Sequence, residues 1–205
     1  MPAMVQVLAP APRAWLAVAA LLALGAVLLW PVPDASIDWQ PQLALSQPWR
    51  AWSAAFAHLS PLHLWANLLG CVAVAAFGAA ARLPRHASWA WLAAWPLTHA
   101  ALIAQPQLTH YSGLSGVLHA GVAVGALHLA WRERGQRRAV GWAVLAGVAL
   151  KLLLETPWSG PTQTAHDWDF PIAPMGHLSG AVSGLMCGAV AQWLANRCAA
   201  VPARN

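Results

Sequence analysis

Residues 111–131 read YSGLSGVLHAGVAVGALHLAW and contain no Asp, Glu, Lys or Arg. From Gly113 onward the run is long enough to cross a bilayer, which takes about 17–25 apolar residues. It is nevertheless diluted by Gly, Ser and His. Polar groups at membrane depth are costly and are usually functional, so this one stretch indicates both the class of the protein and where its chemistry should be sought.

The composition around it agrees. Of 205 residues, 11 are Lys or Arg and 6 are Asp or Glu, 8% in all, against about 25% in an ordinary soluble chain. Hydrophobic residues make up 59% and the mean hydropathy is +0.52. So few charges cannot cover a soluble globule, which excludes a soluble enzyme, and the apolar content excludes a disordered chain. The formal charge of +5 and pI near 10.1 do not indicate nucleic acid, because no Lys/Arg stripe with interleaved aromatics is present. Cys71, Cys187 and Cys198 form no CxxC pair, so neither a disulfide framework nor a zinc site is expected.

Apolar runs occur near residues 14–30, 61–81, 87–104, 113–131, 139–154 and 173–195. They predict an all-α membrane protein of six transmembrane helices in a single domain, 1–205, without repeats. Lys and Arg accumulate in short cytoplasmic loops. With the N-terminus inside, Arg13, Arg82, Arg85, Arg132, Arg134, Arg137, Arg138, Arg197 and Arg204 are cytoplasmic, whereas Asp34, Asp38, Glu155, Asp167 and Asp169 fall outside and only Glu133 lies inside. Both termini are therefore expected in the cytoplasm. Most of the 14 tryptophans lie near helix ends or in loops, Trp65 and Trp95 excepted, and are read as interfacial anchors. The first apolar run lacks a small-x-small site and ends at Trp30–Pro31, so it is kept as a helix and not as a cleaved signal. The loop at about 31–60 is expected to lie in the outer leaflet.

Gly113-Leu114-Ser115-Gly116 stands where an outer loop meets the fourth helix. Glycines let a tight turn present the serine hydroxyl, and a helix N-terminus offers unpaired N–H groups to an oxyanion. Taken alone this is also a common helix-packing pattern. At the start of the sixth helix His177, Gly180, Gly184 and Gly188 share one stripe, along which a neighbour can approach closely. If that neighbour is the fourth helix, His177 reaches Ser115 as its base. His63 and Asn67, four apart on the second helix, share a face and suit oxyanion donors. His58 is read as fixing the adjoining loop. His119, one turn below Ser115, is a rival base, disfavoured because it lies on the same helix. Lys151 and Glu155 are read as a snorkelling i,i+4 ion pair. No HExxH or zinc-type His pair occurs. Haem ligation by His99 and His128 has little support, and no cofactor or metal is expected.

Trp49-Arg50, His58…His63…Asn67, Gly113-Leu114-Ser115-Gly116 and Gly176-His177 with Gly180 and Gly184 resemble, in order and helix placement, the rhomboid intramembrane serine proteases. The resemblance implies a six-helix rhomboid-like bundle with Ser115 as nucleophile, His177 as general base, and His63 and Asn67 in the oxyanion hole, Gly113, His119 and His58 supporting. It implies a Ser–His dyad with no third acid, and a site of neutral groups is what costly charge burial would favour. Where many rhomboids carry a tyrosine packed on the catalytic histidine, this chain has His119. With that residue, the string through His119 looks like the rhombosortase subfamily. That implies a bacterial inner-membrane, multi-pass endopeptidase that removes a C-terminal Gly-Gly sorting tail from exported, membrane-anchored proteins. A rhomboid of broader specificity and a catalytically inactive binder of transmembrane helices are the alternatives. The expected partners are such substrates and the lipid bilayer, with no nucleic acid. The loop at 155–172 with the fifth helix is expected to act as a lid with little to anchor it.

Overall fold

The computed structural model describes residues 12–200 other than 106, 165 and 167. Asp167, Arg204 and the two chain ends used in the charge argument lie outside the described residues. Six long helices dominate: α1 (Arg13–Leu29), α2 (Pro61–Ala80), α3 (Arg85–Ala100), α4 (Ser115–Arg132), α5 (Gly135–Glu155) and α6 (Pro174–Ala200). Among the described residues the β pairing consists of two isolated bridges, Trp39–Tyr111 and Gln163–Ile172. By length and composition, α2 and the Pro174–Cys198 stretch of α6 suffice to cross a membrane, and α1 is a shorter apolar helix. The other three fall below that standard for visible reasons: α3 has 16 residues, α4 is diluted by Gly, Ser and His, and α5 carries Arg137, Arg138, Lys151 and Glu155.

The centre of the bundle is α4, whose residues from Gly116 to Ala130 are mostly buried. It packs most extensively on α6 and α5, with α3 and α2 completing its surroundings. The α4–α6 approach follows from small residues. A Cβ on Gly180 would fall on the Gly116 carbonyl, and one on Gly184 on the Ala120 backbone. Ser179 Oγ donates to the Thr98 carbonyl at 2.9 Å and ties α6 to α3 as well. By contrast, α5 buries only Gly141 and Leu152 and touches α6 lightly. Large apolar side chains line the outside, among them Leu21, Leu24 and Leu28 of α1, Leu69 and Val72 of α2, Leu150 and Leu154 of α5 and Met186 and Val190 of α6. An apolar surface of that extent suits lipid, not water.

The interfacial reading of tryptophan does not hold for all of them. Trp15, Trp39 and Trp91 are almost completely buried. Trp15 Nε1 donates to the Val74 carbonyl at 2.9 Å and Trp91 Nε1 to the Val117 carbonyl at 2.8 Å, and the two rings lie 4.4 Å apart. Space for them exists because Gly78 and Gly121 have no side chain: a Cβ on either would strike the Trp15 or the Trp91 ring. A buried indole is tolerated where its N–H finds a carbonyl, and a sequence scan does not reveal such a partner.

The segment between α1 and α2 is also more organised than a leaflet-bound loop. It forms short helical turns at Asp34–Ile37, Pro41–Leu43, Arg50–Ser53 and Ala54–Phe56. Trp39, Ala51 and Ala54 pack with Leu102, Leu108 and Tyr111 in a second small core. Buried Arg50 donates to the Asp38 carboxylate and to the Asp38 and Ala35 carbonyls at 2.9–3.1 Å. Reciprocal backbone bonds of 2.8 Å between Trp39 and Tyr111, and Gly113 N–H to the Ala54 carbonyl at 2.9 Å, then fasten this loop to the segment preceding α4.

Candidate active site

Ser115 is the first residue of α4. The chain reaches it through Gly113, whose φ of +110° is a left-handed conformation that glycine adopts without strain. The first N–H groups of a helix have no intrahelical acceptor, so the turn presents both the hydroxyl and free amides. His177 stands in the first turn of α6. Across the glycine-lined α4–α6 contact, its Nε2 lies 3.0 Å from Ser115 Oγ.

His63 and Asn67 are buried on α2. Ser60 caps this helix by accepting the His63 N–H at 3.1 Å, and Pro61 occupies the first helical position. Leu59 N–H points at His63 Nδ1 at 3.3 Å. Nδ1 is then the acceptor and Nε2 carries the ring proton. That Nε2 faces Gly113 so closely that a Cβ there could not be accommodated, and Asn67 Nδ2 lies 3.4 Å from the same point. Asn67 Nδ2 is buried without a hydrogen-bond partner among the described residues. Two N–H donors thus converge beside the Ser115 turn, one of them unsatisfied. Buried donors are ordinarily paired, and an unpaired one beside a serine hydroxyl is suited to an oxygen that arrives with a ligand.

His58 anchors the loop. Its Nδ1 is 3.0 Å from the Phe56 carbonyl, to which it donates, and its backbone N–H donates to Asp34 at 2.9 Å. Burial pushes its imidazole below the ordinary range, partly offset by the Phe56 bond. Asp34 is raised, again chiefly by burial. His119 does not address the serine hydroxyl with Nδ1, which donates to the Ser115 carbonyl at 2.7 Å. Its ring stacks on His177, centroids 4.5 Å apart and 18° between planes, the place that the resemblance gives to a tyrosine. Of the other histidines, His99 is fully buried against the Ala51 carbonyl, while His128 lies next to His86 with ring centroids 5.7 Å apart. Among the described residues, no three His, Cys, Asp or Glu side chains gather as metal ligands.

The expectation that no acid is offered as a third member is corrected by the structure. Glu155 Oε2 lies 2.8 Å from His177 Nδ1, while Oε1 of the same carboxylate pairs with Lys151 at 2.5 Å. The i,i+4 pair exists, but it does not simply snorkel into solvent. The spacing of Lys151 and Glu155 identified their mutual contact and carried no signal for the contact with α6. The poorly anchored loop is likewise corrected. Ser60 Oγ donates to Asp169 at 2.7 Å, Phe170 stacks on His63 at 4.1 Å, and Gln163 donates to the Glu155 carbonyl at 2.9 Å. Sequence inspection missed Phe170 and Asp169 because nothing local distinguishes them.

These groups surround one cavity of about 1070 Å³, bounded by Ser115 and His119 of α4, Asn67 and Gly70 of α2, Lys151 of α5 and His177 of α6. A hydroxyl facing an imidazole nitrogen, beside convergent N–H donors in a cavity between membrane-type helices, is the constellation of acyl-transfer chemistry. The Rhomboid domain family model matches residues 45–193, and the chain belongs to the rhomboid family. Members of that family are intramembrane serine proteases, hydrolases that act on membrane proteins within the bilayer, and this chain is accordingly an integral membrane protein. No curated protein matches the chain.

Proposed function

We propose that the protein is an intramembrane serine endopeptidase in which Ser115 is the nucleophile and His177 the general base. The observation that carries this is the 3.0 Å contact between Ser115 Oγ and His177 Nε2 across two helices packed on glycine. His177 takes the serine proton as Oγ attacks the substrate carbonyl, forming the C–O bond. His63 Nε2–H, Asn67 Nδ2–H and a backbone N–H at the start of α4 hold the oxyanion. The imidazolium then protonates the leaving amine as the C–N bond breaks, and water releases the acyl group.

In this reading residues 1–205 form one multi-pass domain of six spans in a bacterial inner membrane, with both termini in the cytoplasm and cleavage near the outer face. Support comes from the arginines Arg82, Arg85, Arg132, Arg134, Arg137 and Arg138, which cluster in the turns at the end of the bundle away from Ser115 and His177. The loop at 155–172 with α5 acts as a lid over the site, and the contacts of Asp169 and Phe170 with α2 are the ones that opening would break. The substrates are exported proteins with a C-terminal Gly-Gly sorting tail, supported by the His119 pattern and by a cavity lined with small α2 residues such as Gly70 and Ala73.

The test is co-expression with a protein bearing such a tail, comparing wild type with Ser115→Ala. Loss of tail removal in the variant alone is the expected result. Equal cleavage of unrelated membrane helices would favour broader specificity, and the absence of any cleavage or fluorophosphonate labelling by folded wild type would favour a binder.

A further inference from the structure

We infer that Glu155 is a positioning residue for the catalytic step, holding His177 in the tautomer and orientation in which its Nε2 can take the Ser115 proton. The inference rests on the reading of Ser115 and His177 as nucleophile and base, and it extends their pair to a Ser–His–Glu arrangement spread over α4, α6 and α5.

The geometry favours one tautomer. An ionised carboxylate only accepts hydrogen bonds, so at 2.8 Å from Glu155 Oε2 the His177 Nδ1 donates; the Lys151 ammonium is farther from Nδ1, at 3.4 Å, and its nearer acceptor is Glu155 Oε1. The lone pair of the neutral ring is then on Nε2, the nitrogen 3.0 Å from Ser115 Oγ. Which nitrogen of an imidazole is protonated is set by the bond the other one makes. Oε1 is satisfied by Lys151, so both oxygens of a carboxylate sited at a helix end beside the membrane are paired, as a partly buried charge requires. The orientation of the group is also held. Thr156, in a left-handed conformation, ends α5 immediately after Glu155, and Gln163 donates to the carbonyls of both residues at 2.9 and 3.2 Å. One face of the His177 ring carries the stacked His119.

In the reaction, the Ser115 O–H bond breaks and its proton goes to His177 Nε2 as Oγ bonds to the acyl carbon. Nδ1 keeps its hydrogen throughout, and Glu155 gains none. The carboxylate therefore faces the ring while the ring is positively charged, and faces it still when Nε2–H passes its proton to the leaving amine.

The experiment uses the full chain in detergent micelles, with Glu155→Gln, Glu155→Asp and Ser115→Ala compared with wild type. It measures cleavage of a tail-bearing substrate, fluorophosphonate labelling of Ser115, thermal unfolding, and the low-field proton resonance of a histidine Nδ1–H bound to a carboxylate. A glutamine would offer its own N–H to Nδ1 and favour the wrong tautomer. We expect Glu155→Gln to lower kcat by ~10²-fold or more with KM nearly unchanged. It should abolish the low-field resonance and unfold at close to the wild-type temperature, while Glu155→Asp recovers most of the lost rate. Wild-type labelling and turnover in Glu155→Gln would overturn the inference, as would a loss of rate accompanied by unfolding that Glu155→Asp fails to rescue. Failure of folded wild type to label at Ser115 would instead overturn the nucleophile assignment, and this inference with it.

Discussion

The two histidines near Ser115 differ in which of their nitrogens is free to act. His177 presents Nε2 to the hydroxyl, whereas His119 spends Nδ1 on the Ser115 carbonyl and presents a ring face to His177. Removing His177, the proposed base, should therefore be far more damaging than removing the stacked His119. His177→Ala is expected to reduce fluorophosphonate labelling of Ser115 by at least ~10²-fold, the lower end of what a positioned general base supplies. His119→Ala should cost about two- to tenfold, the scale of one ring contact of about 0.5–1.5 kcal/mol. Equal inactivation by the two variants would reverse the assignment. Ser115, His63, Asn67 and His177 stood out in sequence because each is a polar residue in an apolar run with Gly, Ser or His at helical spacing. Glu155 did not, since its partner in the chain, Lys151, explained it locally.

At the scale of helices, the site depends on how closely α6 can lie against α4. At Gly180 even a methyl group would land on the Gly116 carbonyl, and backbone cannot move aside as a flexible side chain can. Gly180→Val should destabilise the fold by roughly 1–3 kcal/mol, the usual cost of overpacking, and should cut cleavage further than that loss explains, because α6 carries His177 away from Ser115. Thermal unfolding and labelling measured together separate these effects. Gly147 of α5 has no atom within 4 Å of a Cβ, so Gly147→Ala should leave labelling unchanged and raise the unfolding temperature slightly, by the helix preference of alanine of about 0.4–1 kcal/mol. The glycine stripe on α6 was visible as a 3-4-4 spacing. The notches at Gly78 and Gly121 that admit Trp15 and Trp91 were not, because each glycine serves a ring from a different helix.

For the molecule as a whole, the long helices alternate in direction, so that the turns carrying Arg82, Arg85, Arg134 and Arg137 meet at one end, where Arg137 donates to the Ala81 carbonyl at 2.7 Å. Ser115, His63, Glu155 and His177 gather at the other. C-terminal reporter fusions should accordingly be fluorescent with a cytoplasmic reporter and inactive with one that requires export, and a fusion after residue 160 should show the reverse. Hydropathy, charge distribution and helical periodicity are properties of neighbouring residues. The sequence by itself therefore determined the helical membrane class, the order of the segments and the polar residues at the starts of α2, α4 and α6. Only the tertiary structure decided which of those residues meet, that tryptophans fill the core, that Phe170 and Asp169 close over α2, and that Glu155 joins His177 as well as Lys151. Those contacts join residues from 22 to 109 positions apart, and the packing of segments distant in sequence brings them together; a local pattern such as the glycine spacing of α6 marks a face for close approach but not the partner that fills it.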